Sequence, residues 1–281
     1  MVAIFVVLQF VLPSKLVLNV LPLSLSAASL VALGLGALWF CTQMTTTLGA
    51  AKGGSPIRRA LFAYSCAIPA SYANAAYGYL PSDERQIGDH AMVTVFAMVF
   101  VGLVVCDGVR GRDRIYFLLR VLVACGSAIA VVGILQFLFG FDLTPHLRPP
   151  GMHFTATDVV VLDRSGLRRV SGTTAHPIEF GVLCAMLLPI AIHVAATSRG
   201  HARRPAFWWG CAGLLAIGLM FSVSRSAIPA AASAGIVLLP GWSGRRRAQM
   251  AVIGAGFLVF VELVSPGLLN VFLDLFLQRR K

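Results

Sequence analysis

Apolar runs of about twenty residues recur along this chain, separated by breaks that alternate between arginine-rich and arginine-poor. A hydrocarbon core about 30 Å thick takes roughly 20 apolar residues to cross as a helix, and a backbone in lipid must satisfy its own hydrogen bonds. Repetition of such runs therefore predicts a polytopic helical protein. Eight stand out, at residues 21–41, 60–80, 91–106, 115–140, 177–196, 206–222, 226–240 and 248–265. The opening stretch, Val2 to Leu12, is half that length and stops at Pro13, Ser14 and Lys15. It reads as a partial span or a surface helix. Without a basic leading segment or a small-residue cleavage site, it does not read as a cleaved signal peptide. The sequence thus predicts an all-α transmembrane bundle of about eight or nine spans, forming one integral membrane domain over residues 1–281.

Composition excludes the alternatives. Charged residues make up 12% of the chain and hydrophobic residues 58%, with a mean hydropathy of +0.83. A soluble domain carries roughly a quarter charged residues, so this chain would expose far too much apolar surface in water. Its net charge of +12 would suggest nucleic acid in a soluble protein, but the positions of the basic residues explain it otherwise. Lys52, Arg58 and Arg59, then Arg110, Arg112 and Arg114, then Arg199, Arg203 and Arg204, and finally Arg245, Arg246 and Arg247 fall in every second break. Positive residues are retained on the cytoplasmic side. These four breaks are assigned to the cytoplasm, with the amino terminus inside and the carboxyl tail outside. No nucleic-acid partner is expected. The six cysteines lie in or beside apolar runs without Cys-x-x-Cys spacing or a neighbouring histidine cluster, which predicts packing residues and neither disulfides nor metal.

Two stretches depart from short connections. Residues 141–176 form an extended loop on the outer side, long enough to carry function or structure of its own. Within it, residues 158–162 and 167–170 flank Asp163, Arg164, Ser165 and Gly166, a pattern for a small hairpin with a glycine-containing turn. The tail, residues 266–281, places Leu268, Leu269, Phe272, Leu275 and Phe276 at helical spacing and ends in Arg279, Arg280 and Lys281. That suits an amphipathic helix lying on the outer leaflet.

Ionisable groups at membrane depth are costly and each needs a reason. Arg168, Arg169, His176 and Glu179 lead into the span that begins at Pro177, and Ser224, Arg225 and Ser226 occupy a tight turn between two spans. Both clusters are assigned to the outer face. Plainer readings stand beside a functional one. Pro177 suits the first helical position, Glu179 the first turn, where the helix dipole favours a carboxylate, and His176 a cap. Arg225 could snorkel to headgroups. Arg164 and Arg168 read as surface charges, Glu262 as a partnered structural acid or a proton relay, and His193 as an interfacial histidine. Tyr72, Asn74 and Gln136 read either as packing polar groups or as the midplane residues of a transporter.

The stretch Arg169-Val170-Ser171-Gly172-Thr173-Thr174-Ala175-His176-Pro177-Ile178-Glu179-Phe180-Gly181, followed by a span containing Pro189, resembles the R-x-x-G-T-x-x-H-P signature of the O-antigen ligase and polymerase family. Its His-Pro-Ile-Glu-Phe form is most like actinobacterial members. The turn Phe221-Ser222-Val223-Ser224-Arg225-Ser226 is similar to that family's second signature. The resemblance implies a GT-C-like membrane glycosyltransferase scaffold in the bacterial cytoplasmic membrane. It implies a metal-independent enzyme without cofactor that moves a glycan from a polyprenyl diphosphate to an acceptor hydroxyl. Arg169 and Arg225 would bind the diphosphate, His176, Glu179 and Ser224 would support them, and polysaccharide-assembly proteins and membrane lipids would be partners. Members usually continue through a further large outer loop bearing a histidine beside asparagine, the family's general base. Here no histidine follows His201. The expectation is a shortened relative with impaired transfer, against which stand a non-catalytic scaffold for polysaccharide assembly and a transporter or flippase.

Overall fold

In the computed structural model most of the described residues are helical, because each apolar run is long enough to close its own backbone ladder. The structure describes residues 1–18, 25–45, 55–78, 81–140, 143–147, 149, 151–154, 162–164, 167–198, 205–222, 224, 226–238, and 244–245, 247–248, 252, 255–256, 259 and 263. The helices are α1 (Val2–Val11), α2 (Ala27–Met44), α3 (Pro56–Ala76), α4 (Ser82–Gly108), α5 (Arg112–Phe139), α6 (Pro177–Thr197), α7 (Pro205–Phe221) and α8 (Ala227–Leu238). Four of them are long and apolar enough to cross a membrane: α2, α4 from Glu84, α5 and α6. At about 1.5 Å per residue, α5 alone extends some 42 Å. Helix α3 meets the expected position of a span but carries Arg58, Arg59, Ser65, Ser71 and Asn74, which dilute its apolar character. Helix α7 is apolar and shorter, with 17 residues. Of the expected span 248–265 only isolated residues are described, and they are helical. Glu262 and the expected outer tail lie outside the described residues.

The chain forms two compact units, Met1–Leu118 with Arg148–Thr157, and Leu119–Leu147 with Asp158–Lys281. In the first, α4 packs against α2 and α3, and α1 lies against α2 and α4. Strand β1 (Leu16–Leu18) pairs antiparallel with β2 (Met152–Phe154), with Leu16 opposite Phe154. Close helix approach follows from missing side chains: a Cβ on Gly36 would collide with the ring of Phe100. Small residues at such seams let helices touch where lipid supplies no hydrophobic drive to associate. At one end of this unit the buried Asp107 collects three helices. Its Oδ2 accepts from Trp39 Nε1 at 2.9 Å and from Gln43 Nε2 at 3.5 Å, and lies 3.7 Å from Arg58 Nη1. Farther along α3 and α4, the Tyr72 hydroxyl donates to the Asp89 carboxylate. Tyr72 is thus a helix-pairing group, the plainer of its two sequence readings.

In the second unit α6 packs on α7 and α8, and β3 (Leu162–Arg164) pairs antiparallel with β4 (Leu167–Arg169). The expected hairpin is present, with one adjustment. Asp163 and Arg164 belong to the ladder, opposite Arg168 and Leu167, because a two-residue connection suffices to reverse the chain. Phe180 is the hub of this unit. Fully buried, its ring lies 2.5 Å from where a Cβ on Gly133 of α5 would be, 3.3 Å from that of Gly172 and 3.2 Å from that of Gly218 of α7. Three glycines from three segments thus make the hole that one aromatic knob fills. Phe137 of α5 stacks on Phe221 of α7, centroids 4.1 Å apart.

Candidate functional site

The site is built on the loop between β4 and α6, and each step of that loop has a local cause. Arg169 ends β4, half-buried, with its Nε enclosed by protein. Val170 is buried behind it. The chain then turns at Ser171–Thr174, where the Thr174 amide donates to the Ser171 carbonyl at 3.0 Å. The Thr174 hydroxyl, at 2.7 Å from the Ser171 carbonyl and 3.0 Å from that of His176, ties the turn to the helix start. Gly172 has φ +59°, in the left-handed region that a side chain disfavours. A Cβ there would also come within 2.8 Å of Ile129 Cγ2 and 3.2 Å of the Ile129 carbonyl oxygen. Both conformation and space select glycine.

His176 caps α6. Its backbone is extended, and its Nδ1 accepts from the Ile178 amide at 3.2 Å. An accepting Nδ1 carries no proton, so in the neutral ring the proton sits on Nε2. Pro177 follows at the first helical position, where no amide hydrogen is needed. Glu179 in the first turn reaches back, its Oε2 accepting from the Ala175 amide at 3.2 Å. The pair is a variant of the capping box: the His176 ring takes an amide inside the first turn, and the Glu179 carboxylate takes one just before it. His176 and Glu179 are therefore engaged as caps, as the plainer reading of each anticipates, and Glu179 remains exposed to solvent or ligand.

The connection between α7 and α8 meets the start of α6. A Cβ on Gly181 of α6 would lie 2.6 Å from Ser222 Oγ and 3.0 Å from Ala227 Cβ, so the first turns of α6 rest directly on the connection between α7 and α8. Ser222 is fully buried and its hydroxyl donates to the Leu219 carbonyl at 2.7 Å. The buried Ser224 shares a hydrogen bond with Ser226 at 2.8 Å between hydroxyl oxygens, and its carbonyl accepts from the Ala227 amide at 3.2 Å. These serines close the connection and start α8. Arg225 lies outside the described residues. Among the described residues, no three metal-ligating side chains gather.

One contributor reads in the sequence as a packing polar group or a transporter's midplane residue, and not as part of this loop. Gln136 of α5, 2% exposed, donates from Nε2 to the Gly172 carbonyl at 3.1 Å and accepts at Oε1 from the Gly172 amide at 2.8 Å. Its side-chain amide thus pairs with both polar groups of one residue, as a neighbouring strand would. Its signal in the sequence was a lone amide in an apolar run, a group that demands a partner when buried. The chain matches no family model, no curated protein and no solved structure.

Proposed function

We propose that the chain transfers a glycan from a polyprenyl diphosphate to an acceptor hydroxyl at the outer face of the bacterial cytoplasmic membrane, in the manner of the O-antigen ligase and polymerase family. The supporting observation is the contact between Gly181 and Ser222. It joins two segments, far apart in sequence, that resemble that family's two signatures. On this reading the bundle has eight or nine spans on a GT-C-like scaffold, with the amino terminus in the cytoplasm. The acceptor oxygen bonds to the anomeric carbon, the bond from that carbon to the diphosphate oxygen breaks, and the acceptor proton is lost. Polyprenyl diphosphate leaves. Negative charge grows on the leaving diphosphate, and fixed guanidinium forks in a poorly screened site stabilise it. Arg169 and Arg225 take that role, with His176, Glu179 and Ser224 shaping the loops that hold them.

The test is transfer by the purified chain in lipid nanodiscs, supplied with a polyprenyl diphosphate carrying a radiolabelled glycan and with an acceptor polysaccharide. Label is expected in the acceptor fraction. Binding of the lipid without transfer would replace this reading with a scaffold. In proteoliposomes, movement of the label across the bilayer without transfer would replace it with a flippase.

A further inference from the structure

We infer that Gln136 is a positioning residue, whose side-chain amide sets the register of the Arg169–His176 loop for a diphosphate-bearing lipid. The inference rests on the proposed function for the ligand and on geometry alone for the positioning. Gln136 and Gly172 are separated by 36 residues, so the pairing fixes the loop against α5 and is no local turn contact. Both hydrogen bonds are buried, where each lost partner leaves a desolvated polar group. The loop has little freedom to compensate. Gly172 already sits against the side chain and backbone of Ile129, and against the ring of Phe180. Three residues before Gly172 stands Arg169, and four residues after it stands the capping His176. A fork-shaped cation binds a diphosphate in two-point fashion only when its backbone is held within a fraction of an ångström. A primary amide that grips one peptide at both ends is suited to that task, and an apolar side chain of the same size is not.

Two variants of the whole chain, in nanodiscs, separate positioning from plain stability. Gln136→Leu removes both hydrogen bonds. Ser127→Ala, on the same helix, removes a buried hydroxyl that donates to the Val123 carbonyl at 2.7 Å and lies 3.5 Å from the Cys211 carbonyl of α7, neither of them in the loop. Hydrogen exchange is read residue by residue at Gly172 and along residues 184–194, and affinity is read with a polyprenyl diphosphate carrying no sugar. In Gln136→Leu the Gly172 amide is expected to exchange about tenfold faster, with residues 184–194 unchanged and diphosphate affinity about tenfold lower. Ser127→Ala should change neither the Gly172 exchange nor the affinity. Unchanged exchange at Gly172, or faster exchange that extends equally through residues 184–194, overturns the positioning role. Faster local exchange with undiminished affinity overturns its link to the ligand. If the native chain binds no diphosphate lipid, the proposed function fails, and the exchange at Gly172 still decides the positioning.

Discussion

Replacing Arg169 by alanine is expected to slow glycan transfer by about 100- to 1,000-fold, the effect of removing one preorganised donor from a developing anion. The size of the expected loss comes from fixation. A surface arginine would swing freely, and its loss would be worth little in water, where exposed ion pairs contribute at most about 1 kcal/mol. Arg169 instead ends a paired strand, is half-buried, and precedes a loop tied to α5 through Gly172. On the proposed function, a guanidinium held there would meet the charge on the leaving diphosphate without reorganising. Arg225→Ala is expected to cost a similar factor. If both side chains grip one diphosphate, the double variant should lose less than the product of the two single losses, because neighbours in one network are not additive. Arg169→Lys keeps the charge and loses the two-pronged geometry, so it should fall between wild type and Arg169→Ala. Arg168→Ala, one residue away on the ladder, should change transfer little. Initial rates with labelled lipid-linked glycan check all five variants. Undiminished transfer in Arg169→Ala would remove Arg169 from the site.

The second large effect is on stability. Phe180→Ala should lower the unfolding free energy by about 3 kcal/mol, read from denaturation of the purified protein in mixed micelles. In a water-solvated core a buried phenylalanine cut back to alanine costs about 3–5 kcal/mol, part transfer energy and part cavity. Between helices in lipid the transfer part shrinks, since the separated side chain faces hydrocarbon, and the lost packing remains. The expectation therefore sits at the low end of that range. The cavity cannot heal easily, because Gly133, Gly172 and Gly218 line it and none has a side chain to move in. Phe180→Leu should cost less than half as much. A loss below about 1 kcal/mol for Phe180→Ala would mean that the unit collapses into the void, contrary to the packing described.

Helices were legible because apolar length and helix length are the same quantity in lipid. The run 115–140 became α5 at residues 112–139, and the run 177–196 became α6 at residues 177–197. The caps at His176 and Glu179 were legible for a similar reason, being interactions within one turn that proline at the first position announces. The hairpin was legible through its glycine-containing turn, although not its ladder limits. What could not be read involves partners distant in sequence. Nothing near Gln136 indicates that its amide meets Gly172, and nothing near Phe180 indicates three glycines from α5, a loop and α7. The junction of Asp107 with Trp39, Gln43 and Arg58, likewise drawn from three helices, has no local signature, because a lone acid at the end of a span resembles an ordinary interfacial charge. The pairing of β1 with β2, separated by more than a hundred residues, has no local signature at all.

Photo-crosslinking locates the lipid's diphosphate directly. A polyprenyl diphosphate with a diazirine adjacent to the diphosphate is irradiated with the native chain in nanodiscs, and the modified peptides are mapped by mass spectrometry. Adducts are expected on both the Arg169–His176 segment and the Ser222–Ser226 connection, competed away by unlabelled polyprenyl diphosphate and not by an uncharged polyprenol. Adducts confined to the lipid-facing sides of α2 and α4, or insensitive to that competition, would contradict a diphosphate site formed where the two segments meet.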